Sequence, residues 1–167
     1  MVRVLLVCTG NVCRSPMAEG ILRSLLRAAG SHERVVAESA GTNAPDGAHP
    51  SANAVEVAAE NGIDIRGHAA RPVTRRLASR SSLILTMQPE HRDWIVARHP
   101  AASDKTHVLT LFADPAGDPN GIQDPIGMDI GAYRETFAEI EGCLRAAMPR
   151  ILSLLPEGTE PTTNRAT

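Results

Sequence analysis

Two cysteines, an asparagine, an arginine and a serine stand close together near the start of the chain, in the segment V-C-T-G-N-V-C-R-S-P at residues 7–16. Five residues separate Cys8 from Arg14. A thiolate can attack an electrophilic centre, and a guanidinium can hold two oxygens of a phosphoryl group in its planar fork. The spacing therefore predicts a cysteine nucleophile that acts on a bound oxyanion.

This segment is predicted to join a strand to a helix. Val2 to Val7 is a short apolar run typical of a buried strand. Beyond the segment, apolar residues recur at helical spacing: Met17, Ile21, Leu22, Leu25 and Leu26. Gly10 and Asn11 are both able to take left-handed conformations, which can turn successive amide N–H groups inward, and the positive end of the helix adds to this anion site. The same donors would stabilise a thiolate, so Cys8 is predicted to be activated, with Arg14 folded back toward the anion.

The helix is predicted to have Ser15 as its N-cap and Pro16 as its first residue, and to end at Gly30. The other predicted strands are at 35–37, 83–87 and 107–109, and the other predicted helices are at 51–61, 89–98 and 130–151. Strands that alternate with helices indicate an α/β fold, with an open parallel sheet covered on both faces. Binding sites in such sheets lie at the carboxyl ends of strands, and the opening turn stands at such an end.

The 167 residues are sufficient for one domain with a substantial core. The domain is predicted to span 1–155, with an irregular loop at 114–129 and a disordered tail at 156–167. A net charge of −2 offers no attraction to nucleic acid or to an anionic membrane, so neither is expected as a partner. No apolar run is long enough for a membrane span or a signal peptide, which predicts a cytoplasmic location. The three cysteines are expected to be reduced there, and no metal site is indicated.

The segment C-T-G-N-V-C-R-S-P-M-A-E, from Cys8 to Glu19, resembles the signature of the low-molecular-weight protein tyrosine phosphatases of bacterial type. Four later segments extend the resemblance over nearly the whole chain: S-A-G-T at 39–42, G-H-A-A-R at 67–71, L-I-L-T-M at 83–87 and I-Q-D-P at 122–125. The resemblance implies a four-stranded parallel sheet with flanking helices, in a flavodoxin-like three-layer arrangement. It also implies the hydrolysis of phosphotyrosine in proteins through a phosphocysteine, with no cofactor.

The same resemblance implies roles for the residues of the opening segment. Cys8 would attack phosphorus, while Arg14 and the loop amides would hold the three other oxygens. The phosphate-binding loop would consist of Thr9, Gly10, Asn11, Val12 and Cys13. Ser15 would hydrogen-bond the sulfur and make it a better leaving group, and Asn11 would lock the loop. A structural role as helix cap or turn residue is the alternative for each of these two.

A general acid is also needed, because a departing alkoxide or phenoxide is costly without a proton. The sequence offers three Asp-Pro pairs, at Asp114, Asp118 and Asp124. Asp124 follows Ile-x and closely precedes the final helix, as in the family, which implies that it gives the proton and later accepts one from water. Asp114 and Asp118 are predicted to form turns.

Four further residues receive roles through the resemblance or through their position. Cys13 resembles a second loop cysteine that can trap the oxidised nucleophile as a disulfide, and a buried thiol without a role is the alternative. Cys143 lies beside the apolar stripe of the last helix and is predicted to be structural. His68 and Arg71 match a family motif and are assigned to the scaffold.

The sequence departs from many family members where aromatic residues line the substrate slot. N-A-P-D at 43–46 and Ile126-Gly127 stand at these places, which weakens stacking on a phosphotyrosine ring. Val12, Ala44 and Ile126 are the candidates for an aliphatic wall instead. Some bacterial members that act on the tyrosine kinases of polysaccharide export also lack part of this wall, so a tyrosine autokinase is a candidate partner among phosphorylated proteins.

Three other functions remain open. A protein arginine phosphatase would share the loop and an Asp-Pro-x-Gly segment, but it usually carries threonine where Val12 stands, and the missing hydroxyl favours tyrosine. A thiol-dependent arsenate reductase would need two further cysteines, and Cys143 alone lies beyond the loop. An inactive phosphoprotein-binding module would be expected to lack the nucleophile or the acid, whereas Cys8 and Asp124 are both present.

Overall fold

The computed structural model describes residues 1–156. Apolar segments form the strands of one sheet: β1 (Val2–Cys8), β2 (Val35–Gly41), β3 (Leu83–Thr86) and β4 (Thr106–Val108). The strand order is β2-β1-β3-β4, and each neighbouring pair is parallel. The predicted α/β class and the four-stranded parallel sheet are confirmed.

The helices lie on both faces of this sheet, as predicted. They are α1 (Arg14–Ala28), α2 (Ala52–Glu60), α3 (Arg75–Arg80), α4 (Pro89–Arg98), α5 (Leu109–Ala113) and α6 (Ile130–Leu152), and a 3-10 helix spans Pro100–Lys105. Side chains of a strand point alternately to opposite faces. Along β1, Leu6 and Cys8 enter the core beneath α1, α2 and α6, whereas Leu5 and Val7 enter a second core beneath α3 and α4.

Most of the predicted elements differ from the structure only at their ends. The prediction ended the second strand at residue 37, but β2 continues to Gly41, because its polar residues are paired. Glu38 accepts from Arg71 and Ser39 donates to Glu19. The fourth strand lies one residue earlier than predicted. The sequence analysis missed α3, α5 and the 3-10 helix, which are too short for apolar periodicity to reveal.

The carboxyl ends of the neighbouring strands β2, β1 and β3 form the edge that carries the opening segment. Cys8 is paired with Gly41, and Val7 is paired with Thr86. A Cβ on Gly41 would lie 2.4 Å from the Thr9 carbonyl oxygen, so only glycine allows β2 to approach the loop this closely. The segment 114–129 contains no helix or strand, as predicted, and closes over the same edge through the hydrogen bond from the Ile122 amide to the Met87 carbonyl (2.7 Å).

Two other predictions concern the ends and surroundings of the domain. Except for Pro156, the predicted disordered tail lies outside the described residues, so it stays a prediction together with the 1–155 domain boundary. None of the helices within residues 1–156 is both long and apolar enough to cross a bilayer.

Candidate active site

The loop between β1 and α1 is held in its curved shape by Asn11. Asn11 is fully buried and has φ +55°, in the left-handed region that asparagine tolerates. Its side-chain amide donates to Ser15 Oγ (2.8 Å) and to Ser39 Oγ (3.0 Å), and its Oδ1 accepts from the Arg71 amide (3.0 Å). Of the two residues able to take a left-handed conformation, Asn11 adopts it and Gly10 does not.

The Cys8 sulfur lies inside the curve of this loop. The side chain is 2 % exposed, and Sγ accepts from the Asn11 amide at 3.3 Å. Ser15 Oγ lies 3.0 Å from Sγ. Ser15 Oγ accepts from the Asn11 side chain, and its own proton can go to the sulfur when Cys8 is a thiolate or to the Ala40 carbonyl oxygen at 3.5 Å. Two donors therefore converge on the sulfur.

The prediction that Ser15 is the N-cap of α1 is wrong. The helix begins at Arg14, with Cys13 in the capping position and no side-chain cap. The Ser15 hydroxyl is turned away from the helix end, since it contacts Cys8 and Asn11 instead. The pattern Ser-Pro is typical of a helix start, but Ser15 and Pro16 are the second and third residues of α1, within its first turn.

Buried polar residues support the loop from beneath. Ser39 Oγ donates to Glu19 Oε2 at 2.5 Å, and Glu19 also pairs with Arg23. The His68 ring nitrogen Nε2 lies 2.9 Å from the Asn11 carbonyl oxygen. His68 therefore contacts the loop backbone at Asn11, and the Arg71 amide contacts the Asn11 side chain, which fits the scaffold role assigned to both.

Arg14 folds back beneath the same loop and is 1 % exposed. Its Nη1 group donates to Gln88 Oε1 (2.6 Å) and to the Ile122 carbonyl oxygen (2.8 Å), which uses both Nη1 protons. Nε is buried and has no hydrogen-bonding partner among residues 1–156. A buried N–H without a partner is costly, so the edge formed by Nε and Nη2 is a ready site for a tetrahedral oxyanion.

Asp124 is the aspartate that reaches this guanidinium. Its Oδ2 lies 3.2 Å from Arg14 Nη2, and its side chain is 36 % exposed, which leaves it open to a substrate and to water. Asp114, Asp118 and Asp124 each accept a hydrogen bond at Oδ1 from the amide two residues later, at 2.9, 2.9 and 3.1 Å. The turn is thus common to all three Asp-Pro pairs, and contact with Arg14 distinguishes Asp124.

Cys13 points away from the anion site, into the interface between α1, α2 and α6. Its thiol donates to Ser51 Oγ (3.3 Å) and lies 3.4 Å from the Tyr133 hydroxyl. Burial raises the pKa of the Cys13 thiol above its usual value, and the two hydrogen bonds oppose this only in part. Cys13 is therefore held as a neutral thiol.

The three wall candidates lie on different segments and differ in exposure. Val12 is half-buried against the core. Ala44 is half-buried in a segment that joins the loop through the hydrogen bond from the Asn43 amide to the Thr9 carbonyl (2.9 Å). Ile126 is 60 % exposed beside Asp124. All three candidates are aliphatic, and their role as a substrate wall stays a prediction.

The arrangement unites a buried sulfur among hydrogen-bond donors, an arginine edge without a partner and a half-exposed carboxylate. A sequence model of low-molecular-weight phosphotyrosine protein phosphatases matches residues 3–154. The chain belongs to this family.

Relatives within the family carry two different names. The chain is 37% identical, over 151 residues, to a probable low-molecular-weight protein-tyrosine-phosphatase, EpsP, of Ralstonia nicotianae, with 90% of this chain and 97% of the relative covered. It is also 37% identical to a protein-arginine-phosphatase of Geobacillus stearothermophilus, with 83% and 88% covered. The YwlE arginine phosphatase mutant with a phosphorylated active-site serine superposes with a TM-score of 0.86 at 29% identity, with 92% of this chain and 100% of that chain covered. The enzyme is a phosphatase of this family.

The sequence analysis missed two residues of this phosphatase site, Gln88 and His91. Gln88 follows β3 at the edge that carries the loop, and His91 lies in the first turn of α4. His91 Nδ1 accepts from the Gln88 amide (3.0 Å), and its Nε2 lies 2.8 Å from Thr9 Oγ1. A polar residue directly after a strand that neighbours β1 was the available signal.

His91 should make the stability of the phosphatase depend on pH. Burial, with a smaller contribution from Arg14, lowers the pKa of His91 from 6.5 to about 4. The unfolded chain takes up this proton below pH 6.5, whereas the folded chain does so only near pH 4. The free energy of unfolding should therefore fall between these values as the pH drops, by up to about 1.4 kcal/mol per pH unit.

Denaturant unfolding at pH 7 and pH 5 checks this expectation. His91→Asn removes the titrating group and should lose less stability between the two pH values than the wild type. His49→Asn, at an exposed histidine, is the matched control and should lose as much as the wild type. Equal losses in the wild type and His91→Asn would contradict the expectation.

The described residues 1–156 hold no group of three or more His, Cys, Asp or Glu side chains placed to bind a metal ion.

Proposed function

We propose that this enzyme hydrolyses phosphotyrosine in proteins through a phosphocysteine on Cys8. The observation that carries the proposal is the buried Nε of Arg14, which lacks a partner in residues 1–156 and belongs to the site that holds the Cys8 sulfur. The oxygen of a bound phosphoryl group would accept a hydrogen bond from this N–H, and its phosphorus would then face the Cys8 sulfur. Asp124, on the Nη2 group of the same guanidinium, then lies beside the leaving oxygen.

In the first step the Cys8 thiolate attacks phosphorus as the bond to the tyrosine oxygen breaks. Arg14 and the amides of residues 9–13 bind the three equatorial oxygens, and their charge and dipoles stabilise the transition state more than the ground state. Protonated Asp124 gives its proton to the departing phenolate. The products of this step are tyrosine and phosphocysteine.

In the second step water attacks the phosphocysteine. Asp124, now a carboxylate, accepts a proton from the water, and the sulfur leaves as a thiolate. The Ser15 hydroxyl donates to the departing sulfur, and the Asn11 amide donates from the other side. Phosphate is released and Asp124 is again protonated. The Asn11 side chain supports this step because it fixes the Ser15 oxygen 3.0 Å from the sulfur, nearer than the other acceptor of the Ser15 proton, the Ala40 carbonyl oxygen at 3.5 Å.

Tyrosine is favoured over arginine because the mouth of the site lacks a polar group at Val12. A phosphoarginine side chain carries N–H donors that need acceptors when they are buried. Val12 offers methyl groups, and Ala44 and Ile126 extend the apolar rim. Such a rim suits the face of a phenyl ring, although without the geometry of aromatic stacking.

A protein arginine phosphatase is the second candidate. It is favoured by the 37% identical arginine-phosphatase relative and by Gly127, which gives this chain the Asp-Pro-x-Gly segment. Initial rates on phosphotyrosine and phosphoarginine peptides with identical flanking residues separate the two. We expect the wild type to prefer phosphotyrosine, and Val12→Thr to shift the ratio of kcat/KM toward phosphoarginine by roughly 5- to 10-fold.

The outcomes of this comparison are distinct. A wild-type preference for phosphoarginine would overturn the substrate assignment and leave the phosphocysteine chemistry in place. If the wild type hydrolysed neither peptide under reducing conditions, the proposal as a whole would be contradicted. Arsenate reduction through an external thiol, or phosphoprotein binding without turnover, would then be the candidates.

The proposed partners are phosphorylated proteins, including a bacterial tyrosine autokinase. Phosphorylated proteins as substrates are supported by the 37% identical relative EpsP of Ralstonia nicotianae, which is named a probable protein-tyrosine-phosphatase. A cytoplasmic location belongs to the same proposal, because the mechanism needs Cys8 as a free thiolate and the three cysteines at positions 8, 13 and 143 are free in the structure.

Cys13 is proposed to protect the nucleophile from irreversible oxidation. Peroxide would oxidise the Cys8 thiolate to a sulfenic acid. Cys13 would then leave its hydrogen bonds to Ser51 and Tyr133, turn toward Cys8 and displace water from the sulfenic acid to form a disulfide. After brief exposure to hydrogen peroxide, the wild type should recover most of its activity with dithiothreitol, whereas Cys13→Ser should recover much less. Cys143→Ser is the matched control and should recover like the wild type. Equal recovery by all three proteins would assign Cys13 no redox role.

A further inference from the structure

Arg14 is held almost entirely by neutral groups. Its Nη1 protons go to the side-chain oxygen of Gln88 (2.6 Å) and to the carbonyl oxygen of Ile122 (2.8 Å). One carboxylate, Asp124, contacts the guanidinium, and it does so from the half-exposed side at 3.2 Å. A fully buried arginine would more commonly be expected beside a buried carboxylate.

Gln88 is itself held in place by its surroundings. It directly follows the short segment Thr86-Met87 at the end of β3, where the Thr86 hydroxyl donates to the Gln88 carbonyl oxygen (3.2 Å). The Gln88 amide donates to His91 Nδ1 (3.0 Å). Because Nδ1 is an acceptor here, the proton of the neutral ring is on Nε2, which donates to Thr9 Oγ1 (2.8 Å). His91 thus connects Gln88 to the first residue of the phosphate-binding loop.

Gln88 differs from a glutamate at the same position in charge and not in shape. A glutamate at this place could accept the same hydrogen bond from Nη1. It would also add a negative charge a few ångströms from the bound phosphoryl group, where burial weakens screening. Whenever Asp124 is ionised on Nη2, two carboxylates would exceed the single positive charge of Arg14.

We propose that Gln88 is a positioning residue that holds Arg14 with a neutral acceptor, so that the charge of the guanidinium stays available to the phosphoryl group. His91 fixes the backbone of Gln88 and ties it to Thr9. The inference rests on the proposed function in one respect, that Arg14 binds the phosphoryl group. It does not depend on whether the substrate is phosphotyrosine or phosphoarginine.

The test compares two substitutions of Gln88 with a matched charge control. Gln88→Glu keeps the hydrogen bond and adds charge, whereas Gln88→Ala removes the hydrogen bond and adds none. Gln123→Glu makes the same charge change at an exposed residue next to Asp124. The readouts are kcat and KM on an aryl phosphate, and the inhibition constant of inorganic phosphate, which reports binding of the anion alone.

We expect Gln88→Glu to weaken inhibition by inorganic phosphate by at least about 10-fold and to raise KM in proportion, since both measure anion binding. Gln88→Ala should instead lower kcat by about 10-fold with a small change in the phosphate constant, because the charge remains while the guanidinium is less well oriented. Gln123→Glu should change both quantities by less than about 3-fold, since water screens an exposed charge.

A purely structural role for Gln88 predicts a different pattern. Both Gln88 variants would then lose thermal stability, and the inhibition constant of phosphate would be the same for the two. Wild-type affinity for phosphate in folded Gln88→Glu would overturn the inference while leaving the proposed function intact. Failure of the proposed function itself would be visible separately, as a wild-type enzyme that inorganic phosphate does not inhibit.

Discussion

Cys8→Ser should lower kcat by at least about 10⁴-fold on any phosphorylated substrate. A serine hydroxyl has a much higher pKa than a thiol, and the groups of residues 1–156 that hydrogen-bond Sγ, the Asn11 amide and the Ser15 hydroxyl, are not bases. The Asn11 amide and Ser15 both direct hydrogen bonds at Sγ, which stabilises an anion and does not remove a proton. The variant should still bind inorganic phosphate, because Arg14 and the loop amides remain.

The matched control for this loss is Cys143→Ser. Cys143 is half-buried in α6, at the edge of the core beneath that helix. Its replacement should leave kcat within about 3-fold of the wild type. Initial rates on an aryl phosphate, with phosphate binding measured by calorimetry, check both variants. Substantial turnover by folded Cys8→Ser would exclude Cys8 as the nucleophile.

Asp124→Asn should lower kcat on phosphotyrosine peptides by about 10²- to 10⁴-fold. The amide keeps the oxygen that accepts from the Ile126 amide, so the turn at residues 124–126 is retained. It has no proton to give to the phenolate and cannot accept one from the water. The ion pair with Arg14 is also lost, which frees more of the arginine charge for the phosphoryl group. Substrate binding should therefore be preserved or strengthened.

The leaving group provides the sharper test of this role. Since kcat/KM reports the first step, its loss in Asp124→Asn should shrink steeply as the phenol becomes more acidic and needs the proton less. Asp118→Asn is the matched control, because Asp118 also precedes proline and forms the same turn with the Asn120 amide (2.9 Å). It should act like the wild type on every substrate. A loss in Asp124→Asn that is the same for all leaving groups would contradict the role of general acid.

The fold was predictable because its apolar segments are distinct. The apolar run at Val2 to Val7 predicted a strand, and the apolar residues at helical spacing predicted α6. The alternation of strands and helices then predicted a parallel sheet. Short helices such as α3 and α5 depend on tertiary contacts instead of periodicity. The continuation of β2 to Gly41 required knowledge of which residues pair with Glu38 and Ser39.

The local geometry of the site was predictable only in part. The spacing between Cys8 and Arg14 located the anion site. Which of Gly10 and Asn11 takes the left-handed conformation depends on contacts with distant residues such as Arg71. In the same way, the sequence predicted Ser15 as a helix cap, but in the structure its hydroxyl contacts Cys8 and does not cap the helix. Local propensities are weak where a buried polar network competes with them.

The contacts of Gln88 and His91 with the site could not be predicted from the sequence, for a related reason. Each lies more than 70 residues from the loop residue it contacts, as the hydrogen bonds to Arg14 and Thr9 show. No spacing rule connects positions so far apart, and neither residue type is distinctive of a phosphate site. Only the alignment of the β1 and β3 ends brings them together.

The central claim is that phosphorus is transferred to Cys8, and the most direct test is to observe the bond. Wild-type enzyme would be mixed with excess aryl phosphate, denatured within milliseconds, and examined by intact mass and peptide mapping. The account predicts one phosphoryl group per chain, located on Cys8, in the interval before steady turnover. Rapid turnover with no phosphorylated chain, or with the phosphoryl group on another side chain, would contradict it.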